Sequence, residues 1–99
     1  MKLKDGAVLS GLHPSMRMAL ITAQKVYERH GRELVVTSGL DGTHSAGSWH
    51  YYGRAIDLRT SYFDEDQKES VYLDLKRALG DRYRVFLEAT HIHVDYPEV

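Results

Sequence analysis

Two stretches of the chain alternate polar and aliphatic residues with a period of two, and both do so with the same chemistry. In Arg54-Ala55-Ile56-Asp57-Leu58-Arg59, Ile56 and Leu58 point one way, while Ala55, Asp57 and Arg59 point the other. Over 91–96, Ile92 and Val94 share one face, and His91, His93 and Asp95 share the opposite one. A third stretch, 83–87, puts Val85 and Leu87 on one side, and the same alternation puts Glu88 on the other. Strands of this kind belong to an antiparallel sheet with one wet face and one covered face. The three-residue connection Glu88-Ala89-Thr90 predicts a hairpin between the last two. A one-residue slip of register would exchange the faces.

The cover for the aliphatic side is also in the sequence. Pro14 suits the first turn of a helix. Met18, Ile21, Thr22, Val26 and Tyr27 then recur at helical spacing, which predicts a helix over about 14–30 with Gly31 as its stop. Asp64-Glu65-Asp66 opens a second helix, because acids complement the dipole at an N-terminus. Val71, Leu75, Ala78 and Leu79 form its apolar stripe, and Gly80 closes it. Leu34-Val35-Val36-Thr37 is a short β-branched strand, and the residues up to Leu12 form a lead-in arm. The expected fold class is α+β: a small antiparallel sheet, two helices on one face and an open polar groove on the other.

At 99 residues the chain is expected to be one domain, 1–99. It has no cysteine, so disulfides and thiolate metal sites are excluded. Its net charge of −1 supplies no basic field for nucleic acid or anionic lipid. No stretch approaches the ~18 apolar residues of a membrane span, so no membrane insertion is expected. The start, Met1-Lys2-Leu3-Lys4-Asp5-Gly6, lacks the apolar core of a secretory signal.

Six histidines are many for this length, and four fall in two short clusters. The polar face is expected to hold Asp57, Glu88, His91 and His93, with His44 and His50 on the glycine- and serine-rich segment 38–53 that leads into it. Imidazoles and a carboxylate suit zinc, and two histidines with one carboxylate leave a position open for water. A nearby glutamate can move that water's proton, and a second histidine can stabilise an oxyanion. Each piece alone has a plainer reading. His-x-His on a strand is most often a solvated sheet face, Asp57 alone more often pairs with Arg54 or Arg59, and Trp49, Tyr51 and Tyr52 serve loop packing as well as groove walls. His13 and His30 read as helix-end residues.

Ser48-Trp49-His50-Tyr51-Tyr52-Gly53-Arg54-Ala55-Ile56-Asp57-Leu58 resembles the Ser-x-His-x-x-Gly-x-Ala-x-Asp-Leu signature of the LAS metallopeptidases. That group joins lysostaphin-type enzymes, D-alanyl-D-alanine carboxypeptidases, L-alanyl-D-glutamate endopeptidases and the hedgehog signalling domain. His91-Ile92-His93-Val94 resembles its second signature, and the likeness runs from about residue 37 to 96. The resemblance implies a hedgehog and D-Ala-D-Ala peptidase-like fold. It implies Zn2+ held by His50, Asp57 and His93, with His91 beside the metal and Glu88 as the catalytic glutamate. Gly39-Leu40-Asp41-Gly42-Thr43-His44-Ser45 is similar to the hedgehog segment, which makes His44 a groove histidine; the acidic calcium cluster is barely present.

Carboxypeptidase members carry an arginine after the Ser-Gly of the first core strand. Here Ser38-Gly39 is followed by Leu40 and Asp41. Arg54, Arg59 or Arg32 could take its place. The departure favours an endopeptidase on peptidoglycan stem or cross-bridge peptides over a D,D-carboxypeptidase. Substrate contacts are expected from Arg54, Tyr51 and Trp49. The alternative is a zinc-containing binding module without turnover. The size resembles that of the family's phage lysis enzymes, and a monomer is expected.

Overall fold

A computed structural model describes residues 1–39 and 53–97. The elements run β1 (Lys2–Leu3), α1 (Pro14–Arg29), β2 (Val35–Ser38), β3 (Ala55–Arg59), α2 (Glu65–Leu79), β4 (Arg84–Leu87) and β5 (His91–Asp95). The five strands form one sheet in the order β1-β2-β3-β5-β4. The domain is thus α+β, with two helices and the expected hairpin of β4 and β5.

The sheet is mixed rather than antiparallel. β1 pairs parallel to β2, with Lys2 opposite Val35 and Leu3 opposite Val36, while β2, β3, β5 and β4 pair antiparallel. The lead-in arm therefore contains a strand that two residues are too few to announce by alternation. The backbone bonds Lys2 N–H to Leu34 O and Lys4 N–H to Val36 O carry it.

Both helices start where local chemistry says they should. Pro14 is the first helical residue of α1, and His13 Nδ1 accepts the Ser15 N–H at 3.1 Å. Asp64 and Gln67 form a reciprocal capping box at the start of α2, and Gly80 ends it at φ +83°.

The buried face of α1 differs from the expected stripe. Met16, Ala19, Leu20, Ala23, Val26 and Tyr27 are buried, whereas Met18 and Ile21 are half exposed. Two alanines are the reason: small residues let the helix approach the sheet, and the larger side chains on the far face point to solvent. On α2, Val71 and Leu75 are buried and Ala78 is exposed. Leu87, expected on the covered face with Val85, is 39% exposed at the outer edge strand.

One cluster joins both helices to Val36, Ile56, Leu58, Val85, Ile92 and Val94. The aliphatic side of all four antiparallel strands is thus the core side, and the helices cover it. Tyr27 is fully buried and its hydroxyl donates to Arg59 O at 2.9 Å, tying α1 to the end of β3. Burial pushes that phenol well above its ordinary pKa, so it stays a donor.

Candidate functional site

The antiparallel register of β3 and β5 sets Ala55 opposite Asp95, Asp57 opposite His93 and Arg59 opposite His91. Directly opposed residues on one face lie roughly 5 Å apart at Cβ, close enough for side chains to touch. On the other side of β5, Arg84 is opposite Asp95 and Phe86 is opposite His93. Period-two alternation along three strands therefore delivers one polar patch on the face away from the helices. β2 contributes an irregularity: its register shifts between Val36 and Ser38, opposite Leu58 and Asp57. Such bulges re-aim neighbouring groups. Thr37, the extra residue, donates its hydroxyl to Asp57 O at 3.3 Å.

His93 sits at the centre. Its Nδ1 lies 3.0 Å from Asp57 Oδ1 and its Nε2 lies 2.9 Å from Asp95 Oδ2. Arg84 grips Asp95 with two parallel bonds, Nε to Oδ1 at 2.7 Å and Nη2 to Oδ2 at 2.8 Å. The Asp95 side chain is only 2% exposed, while that of Arg84 is half exposed. The Phe86 ring stands 5.9 Å from the imidazole. Burial works against charge on His93, but the carboxylates of Asp57 and Asp95 outweigh it and push its pKa up to about 9. Burial likewise opposes the Asp95 carboxylate, and His93 and Arg84 overcome it, holding the pKa below the usual range. With no metal bound, at neutral pH, both ring nitrogens donate, each to an acceptor-only carboxylate.

His91 is held less tightly. Its Nε2 is 3.7 Å from the same Asp57 Oδ1, and its Nδ1 is 3.3 Å from the Thr90 hydroxyl. Two imidazoles thus converge on one carboxylate oxygen. Beside His91 a polar cleft of about 330 Å³ is lined by Lys4, Thr37, Arg59, Ser61, Thr90 and His91. Among the described residues no carboxylate pairs with Lys4 or Arg59.

The remaining candidates separate clearly. Glu88 closes the β4–β5 hairpin through its N–H to His91 O at 2.9 Å, and its side chain is exposed. Arg54 is turned to Tyr96: its guanidinium lies 5.6 Å from that ring, and Nη1 donates to Tyr96 O at 3.2 Å. Arg32 lies over Tyr62, whose hydroxyl bonds Glu33 O. His13 stacks on Tyr96, and His30 pairs with Asp74, as helix-end residues. His44, Trp49, His50 and Tyr51 lie outside the described residues. Gly53 is described: it has φ +69°, and a Cβ there would collide with Gly11 O, so only glycine permits the approach that lets its carbonyl accept the His13 N–H at 2.8 Å.

Among the described residues no group of three or more histidines or carboxylates is arranged to hold a metal ion; the expected third ligand, His50, lies beyond them. Asp95 and Arg84 are the residues that sequence reasoning missed. Asp95 shares the alternation of His91 and His93, which was the available signal, but its partner Arg84 is set by strand register alone. No protein-family model matches the chain, and no curated protein matches it. Among the described residues no helix is long and apolar enough to cross a membrane.

Proposed function

We propose that the chain is a zinc-dependent peptidase of the LAS type, with a hedgehog-like groove, cutting a peptide bond in peptidoglycan stem or cross-bridge peptides. The observation that carries the reading is the cross-strand pair Asp57 and His93. Their facing donor atoms, Oδ1 and Nδ1, are 3.0 Å apart. Tetrahedral zinc with bonds of ~2.0–2.1 Å sets its ligand atoms roughly 3.3 Å apart, so this pair fits two corners with little movement. His50 is the third ligand in this reading.

Zinc held there supplies a Lewis acid and a water acidified towards neutral pH. The chain's own residues do the rest. Glu88 takes and returns the proton. His91, already turned towards Asp57, donates to the oxyanion, with His44 as a second donor. Arg59 and Lys4 face a substrate carboxylate through the cleft beside His91, in the role that Arg54 cannot fill while it is held against Tyr96. Cations that pair with no carboxylate among the described residues suit the acidic stem peptide and leave endopeptidase action the better fit.

A second reading is a zinc-containing binding module without turnover. The exposed Glu88 side chain in the hairpin turn favours it. Digestion of purified stem and cross-bridge peptides by the zinc-loaded protein, read by mass spectrometry with a chelator control, decides between them. A chelator-sensitive product supports the peptidase and its mass names the bond. Stoichiometric zinc with no product from any peptide supports the module.

A further inference from the structure

We infer that Asp95, locked by Arg84, is the positioning residue for His93: it fixes the ring proton on Nε2 and so presents Nδ1 to the metal shared with Asp57. The inference rests on the zinc reading above. Its geometry is that of the described residues alone.

Asp95 can only accept hydrogen bonds, and both its oxygens are engaged. Oδ1 takes Arg84 Nε; Oδ2 takes Arg84 Nη2 and His93 Nε2, all within 2.7–2.9 Å. A neutral imidazole has one N–H and one lone pair, and which nitrogen keeps the proton is set by the hydrogen bond the other ring position makes. A buried carboxylate on Nε2 therefore leaves the lone pair on Nδ1, the nitrogen that faces Asp57.

The carboxylate itself cannot swing away. The planar guanidinium fork fixes its plane. The register that pairs Arg84 with Asp95 also pairs Asp57 with His93 across the sheet. Ala55, opposite Asp95 on the third strand, leaves room for both. Rotating the ring to present Nε2 instead would strip the buried Asp95 carboxylate, 2% exposed, of its imidazole donor, which costs more than a lost surface bond. Carboxylates in this relation to a metal-bound histidine typically govern metal affinity 10- to 100-fold.

The test uses the whole chain with isotope-labelled histidine, loaded with zinc and, separately, with spin-active cadmium, and read by NMR. Wild-type protein should show cadmium coupling to His93 Nδ1 and a slowly exchanging proton on Nε2. Asp95→Asn should weaken zinc binding by about 10- to 100-fold and lose the slow Nε2 proton. Arg84→Gln should do the same to a smaller degree, and it carries the measurement if Asp95→Asn gives no dispersed spectrum. A merely structural Asp95 would lower the thermal midpoint and leave both zinc affinity and the Nε2 proton unchanged; that result overturns the inference. Cadmium coupling to Nε2 overturns it while the zinc reading stands. Wild-type protein that binds neither metal overturns the zinc reading and the inference with it.

Discussion

Asp74 and Asp95 each accept hydrogen bonds from one histidine and one arginine, and the two clusters differ in how deeply the carboxylate is buried. Asp74, on α2, takes His30 Nε2 at 3.0 Å and Arg29 Nη2 at 3.1 Å from the C-terminal end of α1. The Asp74 side chain is 28% exposed and that of Arg29 is 56% exposed. Asp95 takes His93 and Arg84 at 2.7–2.9 Å and is 2% exposed. Among the described residues the second cluster continues: His93 turns its other nitrogen to another carboxylate, Asp57. The same three residue types make a helix clasp in one place and an oriented donor pair in the other. What separates them is the burial of Asp95 and the strand registers that set four side chains from three strands in two adjacent rows.

The largest expected effect comes from removing the member that the clasp lacks. Asp57→Ala should abolish zinc binding and peptidase activity together, because in the proposed site it removes a zinc ligand and the carboxylate that faces His93 Nδ1. Zinc analysis after loading and dialysis checks it; full occupancy in this variant would break the comparison. Glu88→Gln should instead retain zinc and lower kcat by about 10²–10⁴-fold, the usual worth of a positioned acid–base group. Zinc content measured beside stem-peptide turnover checks this, and undiminished turnover removes Glu88 from the mechanism.

The two clusters should also differ in their pH dependence. With zinc removed, His93 gains its proton partners only on folding, and its pKa rises from 6.5 to about 9. The stability it contributes is fully present below the pH 6.5 of a free imidazole and is lost as pH rises through about 9. The loss is on the order of 3 kcal/mol. The thermal midpoint of the chelated protein should therefore fall between neutral pH and about 10, and Asp57→Asn should flatten that fall. With zinc loaded, Nδ1 holds no proton and the alkaline loss should disappear. Thermal melts with and without chelator across this range sharpen the contrast; a flat profile for the chelated protein contradicts the arrangement.

Much of this was legible in the sequence where a short period decides. Alternation placed Ile56, Leu58, Ile92 and Val94 in the core and Asp57, His91 and His93 on the other face. The turn residues Pro14, Asp64 and Gly80 bounded both helices. The parallel β1 was not legible, because Lys2 and Leu3 are held by backbone bonds to β2 and carry no pattern of their own. Met18 and Ile21 misled for the opposite reason: hydrophobicity marks a helical face, but Ala19 and Ala23 mark the face that can come close. Arg84 could not be found either. Its pairing with Asp95 depends on a cross-strand register, and no local pattern encodes that partner.

The smallest effect should come from the clasp itself. The hydrogen bond from His30, assisted by Arg29, holds the Asp74 carboxyl below its ordinary range. Its contribution is therefore present above the unfolded value of 3.8 and fades as pH falls through the lower folded value. Exposed side chains and solvent screening limit such a pair to ~0.2–1 kcal/mol. Asp74→Asn should lower the midpoint by that small amount at neutral pH, less in high salt, and not at all in strong acid. It should leave zinc affinity and turnover at wild-type values, because the clasp ties α1 to α2 on the helical layer while the His93 cluster lies on the opposite face of the sheet. A zinc defect in Asp74→Asn matching that of Asp95→Asn would mean that the two clusters report one global stability, and that burial and register do not set the second apart.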